Sequence, residues 1–247
     1  MRDLLLSIFF CMGLFLTFSN LLYASLHKPM VVTVSRDWGL DGEIKVCPPD
    51  VIYDDVEYAV SEWNKAIGYF GWRYMWFDVL GTRFILKPNT SEDCDVVFRF
   101  VELRELRPCV DLGDSLVVAI TVFNDTLNGK GATIALWKGL VGQDIKHVLR
   151  RVLIHELSNV IGLVGNSYNS VESASSYYGS LKVRSIDVYA LHVRSTLDGI
   201  SIYKYDREVP QSIPYLTVEE SLAYDLQLIL VSAFISLLLY RFLRVVK

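Results

Sequence analysis

His155 and Glu156 are adjacent residues whose side chains could serve metal-assisted hydrolysis. Imidazole is a common zinc ligand, and a carboxylate beside a zinc-bound water can take its proton as a general base. Apolar residues recur at steps of three and four over residues 143–161, which predicts a helix that Gly162 can end. The pair is therefore expected on one helix, where further ligands would be needed to hold a metal ion.

The residues that follow this pair resemble the zinc-binding motif of the matrixin-type metzincin metalloproteases. That motif, H-E-x-x-H-x-x-G-x-x-H, places two histidines one helical turn apart, and a glycine then lets the loop bring a third histidine. His155, Glu156 and Gly162 match the motif. The second ligand position holds Asn159, and the third holds Gly165. The resemblance thus implies a zinc motif that is degenerate at two ligand positions.

The order of other segments extends this resemblance over residues 31–197. The helix around Trp63 resembles the family's first helix, and residues 174–178 resemble its Met-turn, with Ser175 in place of the methionine and Tyr177 close by. Three further segments resemble a strand, the strand before the active-site helix and the final helix: 95–100, 131–137 and 187–191. The implied fold class is α/β (α+β), a metzincin- or zincin-like twisted mixed sheet with an active-site helix and a C-terminal helix.

The residues at the ligand positions predict a protein that does not retain zinc. Catalytic zinc needs about three protein ligands. The amide oxygen of Asn159 is a poor ligand beside imidazole, and Gly165 has no side chain. We therefore expect no cofactor, with His155 insufficient as a lone metal ligand and Glu156 a degenerate general base. The alternative is a zinc site rescued by another residue of the following loop: Asn166, Glu172 or Tyr177.

Two apolar stretches, one near each end of the chain, predict flanking transmembrane segments. Residues 1–27 are either a signal peptide or an N-terminal transmembrane anchor, since a long uncharged run follows Arg2. Residues 222–247 are typical of a transmembrane helix with a basic tail, and basic residues favour the cytoplasmic side. We expect a cell-membrane protein with residues 28–197 as an ectodomain outside, residues 198–221 as a stalk and the tail in the cytoplasm.

The remaining patterns predict alternating strands and helices. Runs of β-branched and aromatic residues predict strands, and apolar steps of three and four predict helices, the first ending at Gly71. The predicted strands are 31–34, 43–47, 74–80, 95–101, 116–123 and 132–137, and the predicted helices are 52–70, 143–161 and 185–197. The dense aromatic residues of 69–77 are expected to pack in the core, with a binding face as the alternative.

Three of the four cysteines, Cys47, Cys94 and Cys109, lie in the predicted ectodomain. Outside the cell, two of them can form a disulfide. Cys94 and Cys109 are closest in sequence, although spacing alone does not fix the pairing. Asn89 and Asn124 each begin an N-x-[ST] sequon, which fits glycosylation of a domain outside the cell.

The charge distribution excludes one class of partner. The net charge is −4 and no basic cluster occurs in the central part, so we expect no nucleic-acid partner. The expected partners are the membrane and a peptide or protein ligand in the cleft. Three functions stay open: a catalytically inactive pseudoprotease, an active zinc metalloendopeptidase with an unusual ligand set, and a structural component of an envelope or particle. The first is the main hypothesis, because two zinc-ligand positions are lost.

Overall fold

A computed structural model of the chain shows a mixed sheet packed against helices. It describes residues 31–35, 39–89, 93–106, 117–126, 129–141, 146–163, 181–197, 205–210, 212–213 and 215–245. The strands are β1 (Val31–Val34), β2 (Glu43–Cys47), β3 (Arg83–Leu86), β4 (Val96–Val101), β5 (Ala119–Thr126), β6 (Gly129–Trp137) and β7 (Tyr205–Glu208). The helices are α1 (Tyr53–Arg73), α2 (Lys146–Val160), α3 (Ser185–Ser195) and α4 (Val218–Val245), with short helical turns at Asp50–Ile52, Phe77–Gly81, Leu103–Leu106 and Lys138–Leu140.

The central sheet has five strands in the order β3-β2-β4-β6-β5. The first four strands are parallel to their neighbours, and α1 supplies the crossover from β2 to β3 that a parallel pair requires. Strand β5 is antiparallel to β6 and forms one edge of the sheet. The mixed α/β architecture predicted from the sequence is therefore confirmed at this level.

Helices α1 and α2 pack together in the core. Trp63 is fully buried and its indole Nε1 donates a hydrogen bond to the backbone oxygen of Ile154 at 3.0 Å. The predicted helix over 52–70 is confirmed, but it continues to Arg73 and does not end at Gly71. Gly71 has another role, because a Cβ at that position would lie 2.7 Å from Cδ2 of Leu80. The missing side chain thus lets the turn after α1 pack closely against the helix.

The strand predicted over residues 74–80 is wrong. The chain reverses at Met75, whose φ is 59°, and then forms the helical turn Phe77–Gly81. The apolar pattern that indicated a strand instead reflects aromatic packing, since the rings of Tyr74 and Trp76 stack at 4.7 Å. A short apolar run of this kind fits a strand or a packed turn equally well, and its tertiary contacts decide between them.

The predicted stalk over residues 198–221 is also wrong where the structure describes it. Strand β7 pairs antiparallel with β1, with Glu208 opposite Val31. Thr217 then forms an isolated bridge with Arg184, and Tyr215 packs against the core. The described residues of this segment therefore pack against the folded domain up to the start of α4.

Of the possible pairings, the one between Cys94 and Cys109 is not formed, because Cys94 is bonded to Cys47. Strands β2 and β4 are neighbours in the sheet, and Val46 pairs with Val96. The end of β2 and the start of β4 therefore lie side by side, although 47 residues of sequence separate the two cysteines. Cys109 itself lies outside the described residues.

Candidate functional site

Helix α2 carries the residues singled out by the motif. The predicted helix is confirmed over Lys146–Val160, and its apolar face, including Leu153 and Leu157, is fully buried. His155 is half-buried, whereas Glu156 is only 4% exposed. Asn159 lies one turn beyond His155 on the same helix face, as the spacing predicts.

The carboxylate of Glu156 joins α2 to the edge strand β5. The hydroxyl of Thr121 on β5 donates to Oε2 of Glu156 at 2.6 Å, and it also lies 3.2 Å from the Glu156 backbone oxygen. The side-chain amide of Asn159 lies 3.5 Å from the same Oε2, so its NH₂ group faces the carboxylate. The residue at the general-base position is therefore held in a buried polar contact between two elements.

The sequence did not single out Thr121. It lies within the strand predicted over 116–123, but nothing in that strand identifies one threonine as the partner of a helical glutamate. The register of β5 against β6 decides it, since Thr121 pairs with Ile134 and faces α2. A partner of this kind becomes visible only when the sheet edge is assembled beside the helix.

The turn after α2 is clamped by the segment that follows β1. Gly162 has a φ of +79°, the left-handed conformation expected of a glycine that ends a helix. The backbone N–H of Leu40 donates to Val160 at 2.7 Å, and that of Ser35 donates to Gly162 at 2.8 Å. A Cβ on Gly39 would lie 2.6 Å from the nitrogen of Gly162, so two glycine backbones meet there.

A buried arginine, which the sequence analysis also missed, holds this clamp in place. Arg194 on α3 is 1% exposed, and its Nε donates to the backbone oxygen of Ser35 at 3.1 Å. Its guanidinium also forms an ion pair with Asp41. The buried guanidinium thus has both a hydrogen-bond acceptor, Ser35, and a carboxylate partner, Asp41. Through these contacts α3 holds the segment after β1 against the end of α2.

The remaining predicted site residues are placed as follows. Within the described ranges, no group of three histidine, cysteine, aspartate or glutamate side chains is arranged to hold a metal ion. Asn89 is exposed in a turn, and Asn124 is exposed on β5, where its amide donates to Thr133 at 2.8 Å. Several residues lie outside the described part of the chain: Gly165, Asn166, Glu172, Ser175 and Tyr177.

The structure thus brings His155, Glu156 and Asn159 together on one helix beside the sheet edge. No known protein-family model matches this chain. No curated protein matches it in sequence either. The resemblance to matrixins therefore rests on the motif and on the order of the segments around it, and it stays a prediction.

Proposed function

We propose that this protein is a membrane-anchored pseudoprotease, with a matrixin-like domain outside the cell that binds a peptide or protein without hydrolysing it. The observation that carries the proposal is the contact between Glu156 and Thr121. A general base must face the water that it deprotonates. Glu156 instead has its Oε2 against a hydroxyl at 2.6 Å and an amide at 3.5 Å.

The neighbouring ligand position supports the same conclusion. In a zinc site, an imidazole one turn beyond His155 would share the metal with it. Here Asn159 occupies that position and turns its NH₂ group, which cannot bind a cation, toward Glu156. The two residues that would act on a metal and its water thus interact with each other and with β5.

Strand β5 supplies a surface on which an extended peptide could bind. One side of β5 is paired with β6, and no strand of the described ranges pairs with its other side. An edge strand offers backbone donors and acceptors to an added strand, and alternate side chains give selectivity. Val122 on this strand is 42% exposed. It directly follows Thr121, the residue that contacts Glu156 on α2. The proposed ligand is therefore an extended peptide or a strand of a partner protein.

Helix α4 supports anchoring in a membrane. Its segment Val218–Leu238 is long and apolar enough to cross a bilayer. Large apolar side chains on this helix face outward, with Leu226 58%, Phe234 65% and Leu237 59% exposed. The basic tail after Tyr240 favours a cytoplasmic C-terminus, and the disulfide between Cys47 and Cys94 suits an oxidising compartment. The N-terminal apolar segment lies outside the described residues, and its cleavage stays open.

Exchange of Glu156 tests the proposed loss of catalysis. We expect Glu156→Gln to leave the rate of peptide hydrolysis at background level and the free energy of unfolding unchanged. The glutamine amide oxygen can still accept the hydrogen bond from the Thr121 hydroxyl. Glu156→Leu should lower the free energy of unfolding by about 1–3 kcal/mol, since it removes the hydrogen bond that Thr121 donates to the carboxylate and leaves the hydroxyl only its longer contact with the backbone oxygen at position 156. The measurements are peptide hydrolysis with added zinc and denaturant unfolding of the detergent-solubilised chain.

Thr121→Val is the matched control for the same contact. It removes the donor, so it should destabilise the protein by a similar amount, and the double variant with Glu156→Leu should cost less than the sum. If Glu156→Gln abolished a measurable, zinc-dependent peptidase activity, the pseudoprotease proposal would be wrong. The active metalloendopeptidase with a substitute ligand would then be the better account.

Protease treatment of intact cells tests the proposed topology. We expect an epitope inserted after Asn89, in an exposed turn, to be digested on intact cells. An epitope after Lys247 should be digested only after permeabilisation, because the basic tail lies inside. The reverse pattern, with the domain protected and the tail digested, would show an inverted topology and would remove the argument from the disulfide.

A further inference from the structure

Helices α1 and α4 run side by side in the same direction. Contacts between them advance together along both chains. They are the ion pair of Lys65 with Glu219, the hydrogen bond from the Tyr69 hydroxyl to Ser221 at 3.1 Å, and the pair of Arg73 with Asp225, in which Nη2 lies 2.9 Å from Oδ1. Helix α1 therefore points along α4 toward its apolar part, and its last residue, Arg73, lies level with Asp225.

Asp225 marks the place where the uncharged part of α4 begins. No charged residue occurs between it and Arg241. If α4 crosses the membrane as proposed above, the end of α1 lies at the height of the lipid headgroups. The other end of α1, near Val51, lies roughly 30 Å farther from the bilayer, at 1.5 Å per helical residue.

A cluster of exposed apolar side chains lies at the membrane-facing end of α1. Trp72 is 68%, Met75 71% and Phe77 51% exposed. The rings of Trp72 and Phe77 contact each other edge to face at 5.3 Å. On α4 at the same height, Leu222 and Leu226 are also exposed, at 53% and 58%. The prediction that the aromatic residues of 69–77 pack in the core is therefore correct for Phe70 and Trp76 but wrong for Trp72 and Phe77.

The backbone at Met75 presents its side chain at the tip of this cluster. Trp76 donates to Gly71 at 2.8 Å and Met75 donates to Trp72 at 3.3 Å, a helix-ending arrangement that places Met75 in the left-handed region. Glycine is favoured at such a position, because a side chain there is sterically unfavourable. Because the Met75 side chain is exposed, core packing does not offset this unfavourable backbone conformation. Burial of the side chain in a lipid surface would.

We propose that Trp72, Met75 and Phe77 form a membrane-contact patch that inserts at the boundary between headgroups and acyl chains. The proposal rests on the membrane span of α4 put forward above. Tryptophan is enriched at this depth because its ring is amphipathic, and an apolar patch of this kind gains free energy from burial in the interface. The patch and the three α1–α4 contacts would hold the domain at a fixed orientation on the bilayer.

The test uses tryptophan fluorescence of the full chain in phosphatidylcholine vesicles that contain lipid brominated near the headgroup end of its acyl chains. Bromine quenches tryptophans that lie at its depth. The chain has five tryptophans, so Trp72 is isolated by comparison with Trp72→Phe. We expect most of the bromolipid quenching to be lost in Trp72→Phe. The control adds Val51→Trp to that variant, which places a similarly exposed indole at the distant end of α1, and we expect this indole to stay unquenched by bromolipid.

Aqueous iodide separates the outcomes. Protection of Trp72 from iodide together with quenching by bromolipid supports the patch. Quenching by iodide alone would show that the patch faces water, and protection from both would show that a protein surface, such as a second copy of this chain, covers it. Either result overturns the proposal. Alkaline carbonate extraction is measured on the same vesicles, because release of the chain would refute the membrane span itself, whereas retention with an unquenched Trp72 refutes only the patch.

Discussion

Replacing both Cys47 and Cys94 with alanine is expected to lower the free energy of unfolding by about 4 kcal/mol, the loop-entropy value for a cross-link that closes some 47 residues. The disulfide connects the last residue of β2 to Cys94, two residues before β4, and encloses α1 and β3 in its loop. Without it, the unfolded chain gains the entropy of that loop. Alanine is chosen because Cys47 is fully buried and a serine there would add an unpaired hydroxyl.

The measurement is denaturant unfolding of the oxidised, detergent-solubilised chain, compared with the same chain in reductant. Reduced wild type should match the double variant. Cys109→Ala is the matched control and should leave the free energy of unfolding unchanged. A large loss in Cys109→Ala together with no effect of Cys47→Ala would show that Cys94 pairs with Cys109 instead.

Zinc binding should be created by combining Asn159→His with Gly165→His. Position 159 lies one turn beyond His155 on α2, and Gly162, with its φ of +79°, provides the turn that leads toward position 165. Three imidazoles would then meet the ligand number of a zinc site. Because the metal binds the folded state, zinc at a hundredfold excess over its Kd should stabilise the double variant by about 2.7 kcal/mol.

Thermal unfolding in zinc and in chelator measures this effect. The single variants serve as controls and should show no zinc-dependent shift, since two imidazoles do not complete the site. Loss of Asn159 should itself cost little, because its amide lies 3.5 Å from Glu156. A double variant that folds but gains no stability in zinc would show that position 165 does not approach the helix, and the matrixin resemblance would be misleading.

Local periodicity predicted the elements that bury one face against the core. Helix α1 has Val56, Trp63 and Phe70 buried at multiples of seven residues, and this pattern is visible in the sequence. The parallel strands β2, β4 and β6 were also predicted, from short runs of β-branched and aromatic residues, whereas β3 was not, since its four residues include a single β-branched side chain. The strand predicted over residues 74–80 was wrong because the backbone takes a left-handed conformation at Met75, just after α1 ends, and this interrupts the extended run.

Contacts between segments that are distant in sequence could not be predicted from the sequence. The partner of Cys94 depends on β2 and β4 being neighbours, and the partner of Glu156 depends on β5 lying at the edge beside α2. The role of Arg194 was not predictable either, because nothing in its sequence context distinguishes it from a surface arginine. Its burial follows from the packing of α3 against the segment after β1. The site residues on α2 were thus predictable by type and spacing, whereas the contact between Glu156 and Thr121 was not.

Zinc content of the wild-type chain is the most direct test of the account. The full chain is purified in detergent without chelator, equilibrated with zinc, exchanged into zinc-free buffer and measured by elemental analysis. We predict well under one zinc per chain, because positions 159 and 165 hold asparagine and glycine where a three-histidine site needs imidazoles. One tightly held zinc per chain, lost together with peptidase activity on chelation, would contradict the pseudoprotease proposal.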